Sequence, residues 1–293
     1  MVDDTTSGSP AKLTEVQVKD KYRRARREFA ADILRAQHVS RGAGGIRCET
    51  SQHYWASVLF TRMVVTAKTI QVLTPDLQPT AHWDFSAVAS ITRNLAECYL
   101  FFYFLCADDI PQVEKDARGI LLYLHDNASR RKLFGESGKP DDDAETVAKA
   151  AVHDDLVRKF NANSYLSSLP ERRQKELIRG EKTPFVQDDV IERTTIEKTN
   201  FRFLYRLFSQ HTHTGPVAFY RMAEHGRGHG FQNHQDTLFM TFALDLASDL
   251  MRRATSDVLD FFPNAETLGT GMETSDAKSG GPSRQKKQHV KRR

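Results

Sequence analysis

Residues 205–216 read YRLFSQHTHTGP and put an arginine, a serine and two histidines at the end of an apolar stripe. On a helix turning about 100° per residue, Phe201, Leu204 and Phe208 share one face, and His211 continues it. Arg202, Arg206, Ser209 and His213 form a second stripe. Histidine titrates near neutrality and can act as a general base. Arginine offers a permanent, forked cation to a phosphate. Together they suit metal-independent RNA cleavage, with His213 drawing the proton from a 2′-hydroxyl and Arg206 stabilising the phosphorane. Plainer roles stand beside that one. His211 fits a core histidine, and His213 in a last turn favours the helix dipole and caps free carbonyls.

A second polar pair interrupts an apolar run. In SITRNLAECYLFFYFL, Arg93 and Glu97 stand four residues apart on one helix face. Exposed, such a pair contributes only tenths of a kcal/mol, about 0.2–0.5. Buried, each charge needs a partner, because unpaired burial costs several kcal/mol. The pair is either a structural ion pair that fixes helix packing, or Glu97 orients His213 or Arg206 in a shared pocket. Both roles require the two helices to be neighbours. The stretch EHGRGHGFQNH (224–234) adds His225, His229 and His234, giving five histidines between 211 and 234. No cysteine lies near them, so a solvated loop is expected rather than a tetrahedral zinc site. No cofactor or metal motif is found, and Gly-x-Ser-x-Gly, HExxH and GxGxxG are absent.

Tyr205, Arg206, Ser209 and His213 follow the pattern YR-x-x-S-x-x-x-H, and Arg93 and Glu97 supply Arg-x-x-x-Glu on an earlier apolar helix. In these positions the chain resembles the bacterial helical family DUF5677 over roughly 51–262. The resemblance implies an all-helical protein and brings no settled activity. The spacing from Arg206 to His213 also resembles, more loosely, the Arg-x4–6-His pattern of HEPN-type ribonucleases, helical proteins of toxin–antitoxin and phage-defence systems. That likeness implies a site shared across a homodimer. Leu207 departs from it, since a polar residue usually follows the arginine in those nucleases.

The elements that must position these residues are helical. Period-two alternation is short and hairpin signals are missing, so an all-α bundle of about seven or eight helices is expected. Helices are expected over Leu13–Val39, Ser51–Leu73, Asp84–Ala107, Pro111–Phe134, Ala144–Leu166, 170–180, Asp188–Thr212 and from 233 or 234 to Phe262. The run RGAGG (41–45) is expected to break the first. The helix from Asp84 is apolar on nearly all sides and should lie centrally. Residues 1–12 read as a disordered N-terminus and 13–49 as a helix with a Gly-rich loop. The bundle domain then spans 50–262, and 263–293 reads as a disordered basic tail.

The 293 residues are 39% hydrophobic and 27% charged, as in soluble globular chains. No uncharged apolar run approaches the ~20 residues of a membrane span, and the N-terminus lacks a secretory signal. Three cysteines without a CxxC fit a reducing cytoplasm. The net charge of +4 is unevenly shared: residues 278–293 hold seven Lys/Arg and no acid, leaving 35 basic against 38 acidic groups elsewhere. RNA or DNA phosphates are therefore expected at the tail. Two classes of function remain open. One is a non-catalytic helical-bundle protein, of a defence or toxin module, whose Arg93, Glu97, Tyr205, Arg206, Ser209 and His213 form a polar pocket. The other is a ribonuclease with Arg206, His213 and Glu97 as catalytic residues. Because the charge is segregated, removing 278–293 should abolish most salt-sensitive nucleic-acid binding and leave the helical circular dichroism unchanged. Binding that survives with its salt dependence intact would move the contact elsewhere.

Overall fold

The computed structural model describes residues 13–136, 143–221 and 226–271, with the side chains of 143–147 excepted. The expected loose residues 1–12, the basic segment 278–293 and His225 lie outside them. Every regular element among the described residues is helical.

Four long helices build the core. α1 (Glu15–Gly44) starts at a capping box, in which Thr14 accepts from the Gln17 amide and the Gln17 side chain accepts from the Thr14 amide. Its buried stripe of Val18, Tyr22, Ala25, Phe29, Ile33, Ala36 and Val39 keeps a three-and-four spacing. α2 (Ser51–Leu73) is capped by Thr50, and α3 (Phe85–Phe102) by Asp84, whose carboxylate accepts from the Ala87 amide. α11 (His234–Phe261) is capped by Asn233. It lies along α1, and the Ser248 hydroxyl donates to Asp32 across that contact. α3 packs on α2, α9 and α11, the central position its apolar surface requires. α2 also has the length and hydropathy of a membrane span. Here its Ala56, Phe60, Met63, Ala67 and Ile70 are buried in the bundle.

The elements are more numerous than expected, because several helices end early. Beyond Phe102 the α3 axis continues as a π turn, Tyr103–Ala107, in which the Asp108 amide bonds back to the Tyr103 carbonyl. α4 (Gln112–Glu136), α5 (Asp143–Ala162), α6 (Ser164–Ser167) and α7 (Glu171–Arg179) form a satellite unit. It has its own small core of Ala117, Leu121, Leu124, Leu156, Phe160 and Leu166. The buried Asp108 pins this unit to the bundle. It pairs with Arg118 at 2.8 Å and Arg193 at 2.6 Å, while Arg118 also donates to the Phe104 carbonyl and to Glu114.

The long helix expected over Asp188–Thr212 is two. α8 (Gln187–Glu192) stops where the Thr194 hydroxyl bonds the Ile191 carbonyl and takes the Ile196 amide, competing with the helix ladder. Glu197 then caps α9 (Lys198–Thr212) by accepting from the Thr199 and Asn200 amides. One turn, α10 (Pro216–Phe219), begins with proline at its first position.

Two further boundaries move. α1 runs through RGAGG to Gly44 rather than breaking at 41. Chain expected to be loose from Pro263 instead forms a helix over 265–271, with Ala265 fully buried and Glu266 paired with Arg35 at 2.9 Å. The two segments dock because both carry glycine at the crossing. A Cβ on Gly42 would stand 1.8 Å from the Ala265 carbonyl oxygen, and one on Gly269 1.8 Å from that of His38. In an open helix Gly→Ala gains up to about 1 kcal/mol. Here Gly42→Ala should lower the melting temperature, because backbone atoms must separate to admit the methyl group. A rise in melting temperature would mean that 265–271 does not rest on α1.

Candidate functional site

Tyr205 and the α3 pair form a closed polar triangle. Arg93 Nη2 donates to Glu97 Oε1 at 2.7 Å and to Tyr205 Oη at 2.9 Å, and the Tyr205 hydroxyl donates to the same carboxylate at 2.6 Å. The guanidinium lies over the Tyr205 ring, 5.0 Å from its centroid, and Phe201 stacks on the other side at 5.9 Å. Burial and the Glu97 carboxylate hold the phenol above its ordinary pKa, so it stays a donor at neutral pH. Arg93 and Glu97 thus find the partners their apolar helix demands, and α3 and α9 are neighbours as the pair requires.

The rest of the expected pocket divides away from this triangle. Among the described residues, no hydrogen bond or ion pair links Arg93 or Glu97 to Arg206, Ser209 or His213. Glu97 therefore orients Tyr205, not His213 or Arg206. Tyr205 faces inward, and a rotation of about 100° per residue carries Arg206 to the outside. Arg206 and Ser209 line an open groove with Arg202, Phe203, Pro216 and Val217, of about 780 Å³. Arg202 is engaged by Asp188 and Lys198 by Glu192, whereas Arg206 pairs with no carboxylate among the described residues. No acidic residue occurs between Lys198 and Ala223.

His213 is exposed at the end of α9, where its amide bonds the Ser209 carbonyl. The next residue, Thr214, has φ +50. A β-branched residue in the left-handed region is strained by roughly 1 kcal/mol or more, and such strain clusters at functional sites. Phe219 and Tyr220, just beyond this end of α9, and Phe203, about 15 Å back along the helix, stand in solvent, 56%, 73% and 56% exposed.

His211 takes the plainer role expected of it. It is buried, its Nδ1 lies 2.9 Å from Ser86 Oγ, and Phe85 meets its ring edge-on at 4.6 Å. Its second nitrogen is buried without a partner, so only half of the expected satisfaction is met. The Gly-rich segment near it is the largely exposed loop expected, with His229 and His234 in solvent, but it is anchored at two points. Arg227 is buried, pairs with Asp236 at 2.7 Å and covers Phe239, while the Gly230 carbonyl accepts from the Trp83 amide. Nothing in the spacing of GRGHG announces this. The one legible hint is Asp236, an acid placed in the first turn of α11.

The model of a family of unknown function, DUF5677, matches residues 53–230. This is more than half of the chain, and the chain belongs to that family. The match ends before α11, short of the expected limit at 262. The triangle, α9 and the α4–α7 unit all fall within it, while α1 and α11 frame it from outside. No curated protein and no solved structure matches the chain.

Two substitutions test this geometry. Tyr205→Phe removes one donor from Glu97 and one acceptor from Arg93, and should cost about 1–2 kcal/mol in chemical denaturation. His211 is held down to about 4, chiefly by burial and secondly by Arg227. A depressed histidine stays neutral in the native state while the unfolded chain takes up a proton. Stability should therefore fall as pH drops from about 6.5 to 4. Asp257, pushed up to about 6 by burial, acts with the opposite sign and is common to both proteins compared. The acid loss should be smaller in His211→Gln than in wild type. Equal pH slopes would place His211 in solvent.

Proposed function

We propose that the α9–α10 face is a contact surface for single-stranded RNA. The carrying observation is the coincidence, on the α9–α10 face, of a cation that pairs with no carboxylate among the described residues and solvent-exposed aromatic rings. Single-stranded nucleic acids are held by cations along the backbone and by rings on which bases stack, each stack contributing roughly 1–3 kcal/mol. Arg206 supplies the phosphate contact, and Phe203, Phe219 and Tyr220 supply flat surfaces. Ser209 and His213 add polar contacts along the same stripe. On this reading the protein is an RNA-directed component of a bacterial defence or toxin module in the cytoplasm, and the basic tail adds nonspecific attraction.

Cleavage by Arg206 and His213 is a second reading, favoured by the exposure of His213 and the strain at Thr214. Its geometry is demanding. Seven residues along a helix rise about 10.5 Å, and side chains lean toward the helix N-terminus, so Arg206 leans away from His213. One phosphate meets both groups more readily when two copies set their α9 helices antiparallel. Arg206 of each then faces His213 of the other, which is a homodimer.

Fluorescence anisotropy with a labelled single-stranded oligoribonucleotide, on a chain lacking 278–293, tests the surface. Arg206→Ala and Phe219→Ala should each weaken binding about tenfold, the scale of one charged contact or one stacked base, at unchanged melting temperature. Equal affinity in both variants would remove the proposal. If cleavage occurs it should rise with the square of protein concentration at low occupancy and vanish in His213→Ala.

A further inference from the structure

The satellite unit carries a second, separate cleft, between α4 and α5, of about 960 Å³. That volume suits a small-molecule site, for which ~300–1,000 Å³ is usual. Tyr123, Asn127, Arg130 and Arg131 form one stripe along α4, at helical spacings of four, three and one. Lys149 and Lys159 face them from α5. The floor is apolar, since Leu156 belongs to the buried core of the unit.

Among the described residues, the lining of the cleft holds four cations against two acids. Asp155 is occupied by Arg158 at 3.1 Å and Lys159 at 2.8 Å. Asp126 is the remaining acid in the lining. Arg130 and Arg131 have no carboxylate partner among the described residues. Phe134 sets Arg130 and Lys149 in place, with their charges 5.9 and 5.7 Å from its ring centroid. The other end of the cleft is aromatic. Tyr123 is 46% exposed, and its ring rests against Trp55 at 6.3 Å. Between the two ends, Asn127 Nδ2 is buried without a hydrogen-bond partner.

We infer that this cleft binds a nucleoside polyphosphate, with the base against Tyr123 and the phosphates between Arg130, Arg131 and Lys149. The eight residues from Tyr123 to Arg131 rise about 12 Å, close to the reach from a base to its distal phosphates. Forked guanidinium groups match phosphate oxygens, and a flat ring accepts a base without demanding its sequence. Asn127 is placed to offer its amide to the sugar or the base edge. The cleft lies on different helices from the α9–α10 face and does not depend on the RNA proposal.

Isothermal titration of the full chain with ATP and with inorganic tripolyphosphate tests the assignment. Wild type should bind ATP saturably at one site. Arg130→Gln/Arg131→Gln should weaken both probes at least about tenfold, since each removes a charged phosphate contact. Lys149→Gln removes a cation from the opposite wall and should act in the same direction. Tyr123→Ser should weaken ATP and leave tripolyphosphate unchanged. Arg206→Ala should change neither, which separates this site from the α9 surface. Absence of saturable ATP binding would overturn the inference. So would ATP affinity indifferent to both the double variant and Lys149→Gln, as binding by the basic tail would give. Tripolyphosphate binding as tight as ATP, with Tyr123→Ser silent, would reduce the cleft to a phosphate site and overturn the nucleoside assignment.

Discussion

Two charges on an apolar helix set the terms for the rest of this structure. Arg93 and Glu97 sit on α3, the central helix of the bundle, with side chains 20% and 37% exposed, so that partial loss of water favours a partner for each charge. They satisfy each other only in part. The Tyr205 hydroxyl donates to Glu97 and accepts from Arg93 Nη2, while Arg93 Nε stays buried without a partner. Because that hydroxyl belongs to α9, the triangle fixes the rotation of α9 about its axis. Phe201, Leu204 and Phe208 follow Tyr205 toward the core, and Arg206, Ser209 and His213 are left on the outer side. The same residues that read as one pocket in sequence are therefore divided by a structural lock.

The lock works because its surroundings are rigid. α1 and α11 lie against each other and frame the family-matched segment. At the far end of α3, a π turn redirects the chain and presents Asp108 to Arg118 and Arg193. That buried ion pair ties the α4–α7 unit to the bundle, so removing one partner alone would strand the other. The unit keeps a separate core and a separate cleft. The molecule thus offers two surfaces of different character: an aromatic and cationic face on α9–α10, and a cationic cleft between α4 and α5.

The helical class was legible because its signal is local. Apolar spacing, N-capping residues and the missing alternation all act within a turn or two of the chain. The neighbourhood of α3 and α9 was legible for an energetic reason, since Arg93 and Glu97 needed partners. What was hidden depends on distant atoms. The break at Thr194–Ile196 turns on side-chain bonds that compete with a helix of otherwise ordinary sequence. The continuation of α1 through Gly42 and the helix at 265–271 stabilise each other, and neither segment alone announces the contact. Arg227 reads as a loop residue until Asp236 and Phe239 enclose it. The cations of the α4–α5 cleft look like ordinary solvated helix faces until the two helices are set side by side.

The central claim is that the Tyr205 lock turns a binding face outward. Photo-crosslinking of a single-stranded oligoribonucleotide carrying photoreactive bases, followed by mass-spectrometric mapping on the intact chain, addresses it at residue level. The account predicts adducts on Phe203, Phe219 or Tyr220 in wild type, and a weaker or redistributed α9 pattern in Glu97→Gln/Tyr205→Phe, where the polar contacts that set α9 against α3 are gone. Adducts confined to residues 278–293, or an α9 pattern unchanged when the lock is removed, would contradict it.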